Sequence, residues 1–232
     1  MEADLKRHTM LENCQSKEVG IIMKIAKKLI LIILVVALAV IYSYGIWPRP
    51  VYDSSIGSNS YETTGPVTGD MVVEQQFQCE DNGFSGVTVK LTKQANDTIG
   101  EYQWTVTDME SGKVIGNGII NEASTENEDF ESSNVQKQGV VKLEFPKVEN
   151  SKGRSYALRV AAQNVEDDQA MAIYITEKGE MDSQLTVENQ KTKKACVVKL
   201  EYCRFNVETF IVFLVIVAYL IAFVKFMYKL FR

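Results

Sequence analysis

"SGVTVKLT", residues 85–92, decides the fold. Val87, Val89 and Leu91 fall on one side of this run, and Thr88, Lys90 and Thr92 on the other. A two-residue period gives one apolar and one polar face only in an extended strand. A strand with a single apolar face needs a second layer to cover it. The same alternation recurs along the chain in both directions. In "EYQWTVTD" (101–108), Tyr102, Trp104 and Val106 alternate with Gln103, Thr105 and Thr107, which makes Trp104 a core residue. "VVKLEF" (140–145), "SYALRV" (155–160) and "CVVKLEYC" (196–203) repeat the pattern, and "MVVEQQFQC" (71–79) opens the set. "GKVIGNGII" (112–120), "QAMAIYIT" (169–176) and the weaker "SQLTVEN" (183–189) complete it. Polar, glycine-containing turns separate the runs: "EDNG" at 80–83, "MESGK" at 109–113, "ENSKG" at 149–153 and "EKGEM" at 177–181.

Between residues 48 and 208 no run shows a useful helical period. Eight or nine strands without alternating helices predict a mostly β, antiparallel, two-sheet sandwich of jelly-roll kind over 71–204. The acidic stretch "NEASTENEDFESSNVQKQG" (121–139) reads as a crossover loop, and the Ser/Gly/Thr-rich 48–70 as an extracytoplasmic linker.

Two uncharged apolar runs flank this region, 29–47 and 209–224. As a helix the first is about 28 Å long, close to the roughly 30 Å of bilayer hydrocarbon. The second reaches full span at 209–228 if Lys225 snorkels. Both read as transmembrane helices, with 1–28 a tail and 229–232 a short end. The first run also has the basic start of a signal peptide, Lys24, Lys27 and Lys28, and a cleavage-like Ala37-Leu38-Ala39. Its apolar character nevertheless continues through Val40 and Ile41 to Tyr42, Tyr44 and Trp47, so it is expected to stay as an anchor. Met23 is a plausible alternative start, and residues 1–22 carry no motif. Lysine and arginine cluster at the outer ends of both runs, so the positive-inside rule places both termini in the cytoplasm and 48–208 outside.

Residues 48–207 hold 16 Lys and Arg against 25 Asp and Glu, a net of −9. Such an acidic surface has no electrostatic reason to grip nucleic acid or anionic lipid. The single histidine, His8, lies in the tail, so the outer region holds neither a histidine-dependent nucleophile nor a histidine-rich metal site. No catalytic residue and no cofactor is expected. Asp81 with Asn82, and Glu166 with Asp167 and Asp168, could offer oxygen ligands to calcium, but without EF-hand spacing they read first as turn residues. Phe84 and Phe130 are read as loop residues and are the candidates for exposed ligand contacts. Cys79 and Cys196 both fall on apolar faces, open either as a disulfide or as two buried thiols, which leaves Cys203 odd. Ala39 with Ser43, and Ala218 with Ala222, have the spacing for close helix approach. Asn96-Asp97-Thr98 has the form of a glycosylation acceptor.

The progression "FQCEDNGFSGVTVKLTKQ … GEYQWTVTDMESGKVI … VVKLEFPKVENSKGRSYALRV … AMAIYIT" resembles an extracytoplasmic β-sandwich of bacterial multipass membrane proteins. Those proteins are glycosyltransferase-like and linked to surface polysaccharide assembly. The features that carry the resemblance are Phe77, Ser85-Gly86, Asp108 with Gly112, Phe145-Pro146, and Ser151-Lys152-Gly153 before Tyr156. "ACVVKLEY" stands where that family's last strand precedes a membrane helix, and the likeness covers about 72–203. A single further helix follows here, so the catalytic machinery of the larger relatives is expected to be missing. The resemblance implies a non-enzymatic accessory protein of envelope polysaccharide synthesis or export. Its partners would be a multipass glycosyltransferase or transporter, or the surface glycan. The alternative is a stand-alone surface module that senses or binds protein or sugar.

Overall fold

The 85–92 alternation becomes strand β4 (Phe84–Lys93) in the computed structural model, which describes residues 23, 25–93, 98–125 and 139–231. All nine alternating runs are strands: β3 (Val72–Gln78), β4, β5 (Tyr102–Asp108), β6 (Val114–Ile120), β7 (Val140–Val148), β8 (Ser155–Ala162), β9 (Met171–Glu177), β10 (Ser183–Val187) and β13 (Val198–Phe205). Four further strands join them: β1 (Tyr44–Pro50) and the short β2 (Glu62–Thr63), β11 (Gln190–Thr192) and β12 (Lys194–Cys196). They form two sheets. One runs β1-β13-β4-β9-β12, with β2 on β9 and β7 on β4; the other runs β11-β10-β3-β8-β5-β6. The fold is the expected antiparallel two-sheet sandwich, with thirteen strands among the described residues rather than eight or nine.

The inward residues named by the alternation fill the space between the sheets. Val87, Val89 and Leu91 of β4 face Tyr102, Trp104 and Val106 of β5 in one buried cluster. The buried hydroxyl of Tyr102 is paired there, which offsets its desolvation, whereas the buried hydroxyls of Tyr156 and Tyr202 make no hydrogen bond among the described residues. The Tyr102 hydroxyl donates to the Val67 carbonyl at 2.9 Å and accepts from the Met171 amide at 2.8 Å. Trp104 lies over Gly118 on the neighbouring strand, where a Cβ would stand 2.7 Å from the indole nitrogen.

Two boundaries differ from expectation. The 48–70 segment is not a linker: the compact β unit begins at Ile46, and Val51 and Val67 are fully buried. Likewise the apolar N-terminal run does not stay helical to Trp47. Helix α1 covers Ile25–Ser43, and the chain then extends into β1. Pro48 and Pro50 explain the change, since proline cannot continue a helix but is tolerated in an edge strand such as β1. A short helix α2 (Glu122–Thr125) opens the 121–139 stretch.

The second compact unit holds α1 and the C-terminal helix α3 (Val207–Leu230). Both are long and apolar enough to cross a membrane. Asn206 caps α3 by accepting from the Thr209 amide at 3.0 Å, and its own amide donates to the Ser43 carbonyl at 2.8 Å. The Tyr42 and Phe213 rings lie 5.6 Å apart. Of the two small-residue pairs, Ala39 and Ser43 are fully buried, whereas Ala218 and Ala222 are exposed.

Candidate functional site

A groove of about 760 Å³ lies on the outer, polar face of the seven-stranded sheet. Its floor is dictated by strand alternation: once Val87 and Val89 point inward, Thr88 and Lys90 must point outward. Lys199 arrives by the same rule on β13, where it stands opposite Thr88. Val140 and Val197 complete the floor, and Pro48 and Pro50 of β1 line one margin.

The wall is the segment that sequence reading assigned to the linker. After β1 the chain bonds to β13 through the Val51 amide and the Val198 carbonyl at 3.0 Å, then to the end of β9 through the Asp53 amide and the Glu177 carbonyl, also at 3.0 Å. Gly179 lets it come this close, since a Cβ there would stand 2.8 Å from the Tyr52 carbonyl oxygen. A turn in which Asp53 accepts from the Ser55 amide and hydroxyl, and a 3-10 turn at Ser58–Ser60, return the chain to β2. Ser54, Ser55 and Ser58 thereby line the groove together with Tyr52 and Tyr61.

Three tyrosines run in series beside it. Tyr52 and Tyr61 meet edge to face at 5.9 Å, and Tyr61 lies 6.4 Å from Tyr174 of β9. Lys90 Nζ sits 5.5 Å from the Tyr174 ring centroid, within cation–π range. Lys90 is only 6% exposed. Its ammonium is held below the usual lysine range, first by desolvation and then by the charge of Lys199. Burial, and next the hydrogen bond to Tyr61, pushes the Tyr52 phenol well above its usual value.

Among the described residues no carboxylate lines the groove. Two acids of this sheet are engaged. Thr88 donates to Glu201 Oε1 at 2.5 Å, and Glu62 of β2 pairs with Lys194. The groove therefore offers hydroxyls, phenol rings and two ammonium groups, a set suited to holding a polar or anionic ring.

The residues nominated from sequence lie elsewhere. Phe84 is not a loop contact but a fully buried hub, 4.9 Å from Phe145, 5.2 Å from Tyr156 and 5.6 Å from Phe77. A register shift between Phe84 and Gly86 turns Phe84 inward on the same side as Val87, which strict alternation would forbid. Gly83, at φ +85°, sets up this entry by letting the chain pass close to the Cys203 carbonyl. Phe130 lies outside the described residues, as do His8, Cys14 and residues 96–97.

Asp81 is held between two arginines. Its Oδ2 accepts from Arg204 at 2.8 Å and from Arg49 at 3.4 Å, while Asn82 accepts from the Lys152 amide at 3.0 Å. Asp167 and Asp168 sit in the turn after β8, at the opposite end of that strand from the Asp81 turn. Eight residues of strand separate the two turns by about 25 Å. Among the described residues no group of three potential metal ligands gathers.

Cys79 and Cys196 are buried free thiols rather than a disulfide. The Cys196 amide donates to the Gln75 side chain at 2.8 Å, and Gln75 lies four residues back along the chain from Cys79. That is about 13 Å of extended chain, beyond the 4–7 Å or so a disulfide spans between Cα atoms. Burial pushes both thiols up to about 12.

Tyr52, Tyr61 and Lys199 were not singled out by sequence reading. The alternation already assigned Lys90 and Lys199 to polar faces, but pairing of β4 with β13 was needed to bring them together. No family model matches the chain, and no characterised protein matches it significantly in sequence.

Proposed function

We propose that this protein is a non-catalytic, membrane-anchored accessory component of bacterial envelope polysaccharide synthesis or export, acting through its β-sandwich outside the membrane. The observation that carries this reading is the groove: a cleft of phenol rings, serine hydroxyls and ammonium groups, which is chemistry for holding a sugar rather than for cutting one. The resemblance of 72–203 to sandwiches of polysaccharide-assembly proteins supports it independently. Lys27 and Lys28 at the start of α1 and Lys225 and Lys229 near the end of α3 favour cytoplasmic termini, which puts the sandwich outside. The capped contact between Asn206 and Ser43 favours an α1 retained beside α3.

The test is genetic. Deleting the gene in its native host lowers the amount or chain length of surface polysaccharide, and the wild-type protein restores it. Unchanged polysaccharide in the deletion strain contradicts the reading.

A further inference from the structure

We propose that the end of the sandwich where β1 enters and β13 leaves opens locally. The two strands part there from the aromatic cluster around Phe84 and bare Cys79, while the rest of both sheets stays folded.

Unpaired polar atoms mark this end. Among the described residues, five buried side-chain groups lack a hydrogen-bond partner: Trp47 Nε1, Arg204 Nε and the hydroxyls of Tyr156, Ser183 and Tyr202. Register gathers them. On the six-stranded sheet Ser183, Phe77 and Tyr156 form one cross-strand row at the end of β3. On the other sheet Tyr202 stands opposite Phe84 at the start of β4. Antiparallel β1, counted back from its bond between Val51 and Val198, brings Trp47 beside Tyr202, and Arg204 follows two residues along β13. The Phe84 ring joins the two rows, 5.2 Å from Tyr156 and 6.0 Å from Tyr202. Away from this end the buried side chains of Tyr102, Gln75 and Thr125 are all bonded. Residues 94–97 and 126–138, outside the described residues, attach at the far end, where β4 finishes and β7 begins.

Each of the five atoms has essentially no surface that a water molecule could reach. A polar group both dry and unpaired carries its desolvation cost uncompensated, and opening to water removes that cost. Gathered in one place, such groups lower the free energy of opening this end relative to the paired remainder. Backbone pairing is interrupted there as well. β4 shifts register against β7 between Phe84 and Gly86, and against β13 beside Glu201 and Tyr202. Asp81 is the latch. From the turn after β3 it holds Arg49 of β1 at 3.4 Å and Arg204 of β13 at 2.8 Å, through partly exposed groups that salt screens. β1 continues from α1 and β13 runs into α3, so displacement of either helix reaches the two strands held in this way.

Two cysteines are built-in probes. Cys79 and Cys196 are 1% and 2% exposed, the first beside the Tyr202 phenol, the second bonded through its amide to Gln75. The experiment is iodoacetamide labelling of the full-length protein in detergent micelles, in urea below the unfolding midpoint, with labelled peptides read by mass spectrometry. Each rate is normalised to that of the same thiol in the unfolded chain. Cys79 is expected to react at least about tenfold faster than Cys196, and with a weaker dependence on urea, because local opening exposes less surface than global unfolding. Tyr156→Phe and Tyr202→Phe each remove a dry hydroxyl and keep the ring, so each slows Cys79 labelling about fivefold or more and raises the urea midpoint. Asp81→Asn speeds Cys79 labelling a few-fold. Tyr102→Phe, which breaks two hydrogen bonds at the far end, speeds Cys196 and leaves Cys79 near its wild-type rate. Two results each overturn the proposal: equal normalised rates with equal urea dependence for the two thiols, or Tyr156→Phe and Tyr202→Phe variants that label Cys79 as fast as wild type or faster.

Discussion

The side-chain carbonyl of Gln75, on β3 of one sheet, accepts a hydrogen bond at 2.8 Å from the backbone amide of Cys196, on β12 of the other. It is a polar latch across the core, and Gln75 is only 1% exposed. Gln75→Leu keeps the volume but leaves the Cys196 amide without an acceptor. The expected cost is about 1–3 kcal/mol, read as a lower midpoint of chemical unfolding. An unchanged midpoint would mean that the latch is not needed.

Phe84 tests the reading of the β4 entry. As a buried hub among Phe77, Phe145 and Tyr156, it should cost about 3–5 kcal/mol when cut to alanine. An exposed loop phenylalanine would cost little. Thermal melting of Phe84→Ala separates the two.

That residue also shows where sequence reasoning stops. Strict alternation from Val87 places position 84 on the solvent side, and only the register shift at Phe84 and Gly86 reverses it. Strands with a clean period, such as "EYQWTVTD", were legible because each residue's face follows from its neighbours. β1 was not, because the aromatic and apolar residues of 44–47 serve an edge strand as well as a membrane helix end, and Pro48 and Pro50 decide between them. The candidate site was half legible. Lys90 and Lys199 stand on polar faces by alternation, but the wall containing Tyr52 and Tyr61 is positioned by hydrogen bonds to β13 and to the turn after β9, more than a hundred residues away. Nothing local in "SSIGSNSY" distinguishes a packed wall from a linker.

Asp81 ties the strand that follows α1 to the strand that precedes α3 through Arg49 and Arg204. The groups are partly exposed, so solvent screens them. Asp81→Asn should cost about 1 kcal/mol or less, and the loss should shrink in high salt. A salt-independent loss would point to the turn backbone instead.

The cysteines report on burial and sidedness together. Cys203 is partly exposed, whereas Cys79 and Cys196 are buried with thiols raised to about 12. A membrane-impermeant maleimide applied to intact cells should label Cys203 and spare the other two until the protein is denatured. Labelling of Cys203 only after the cells are broken would reverse the proposed topology.

Alkali should destabilise the sandwich. Cys79 and Cys196 are raised from 9.0, and Tyr156 from 10.0, each to about 12, mainly by burial. The unfolded chain sheds these protons first, so their contribution is full below pH 9 and is lost as pH rises toward about 12. Lys90 acts in the opposite sense. Its ammonium is depressed in the fold, so its cost is full at low pH and is relieved as pH rises through its folded value. Urea midpoints should fall between pH 8 and pH 11, and more steeply in Lys90→Met. A flat profile would contradict the burial of these groups.

The central claim is that this protein works beside the machinery that builds or exports an envelope polysaccharide. The most direct measurement is purification of the tagged full-length protein from its native membrane in mild detergent, with mass spectrometry of whatever elutes in stoichiometric amount. The account predicts a multipass glycosyltransferase or polysaccharide transporter in the eluate. A protein that elutes alone, reproducibly and after mild cross-linking, would contradict it.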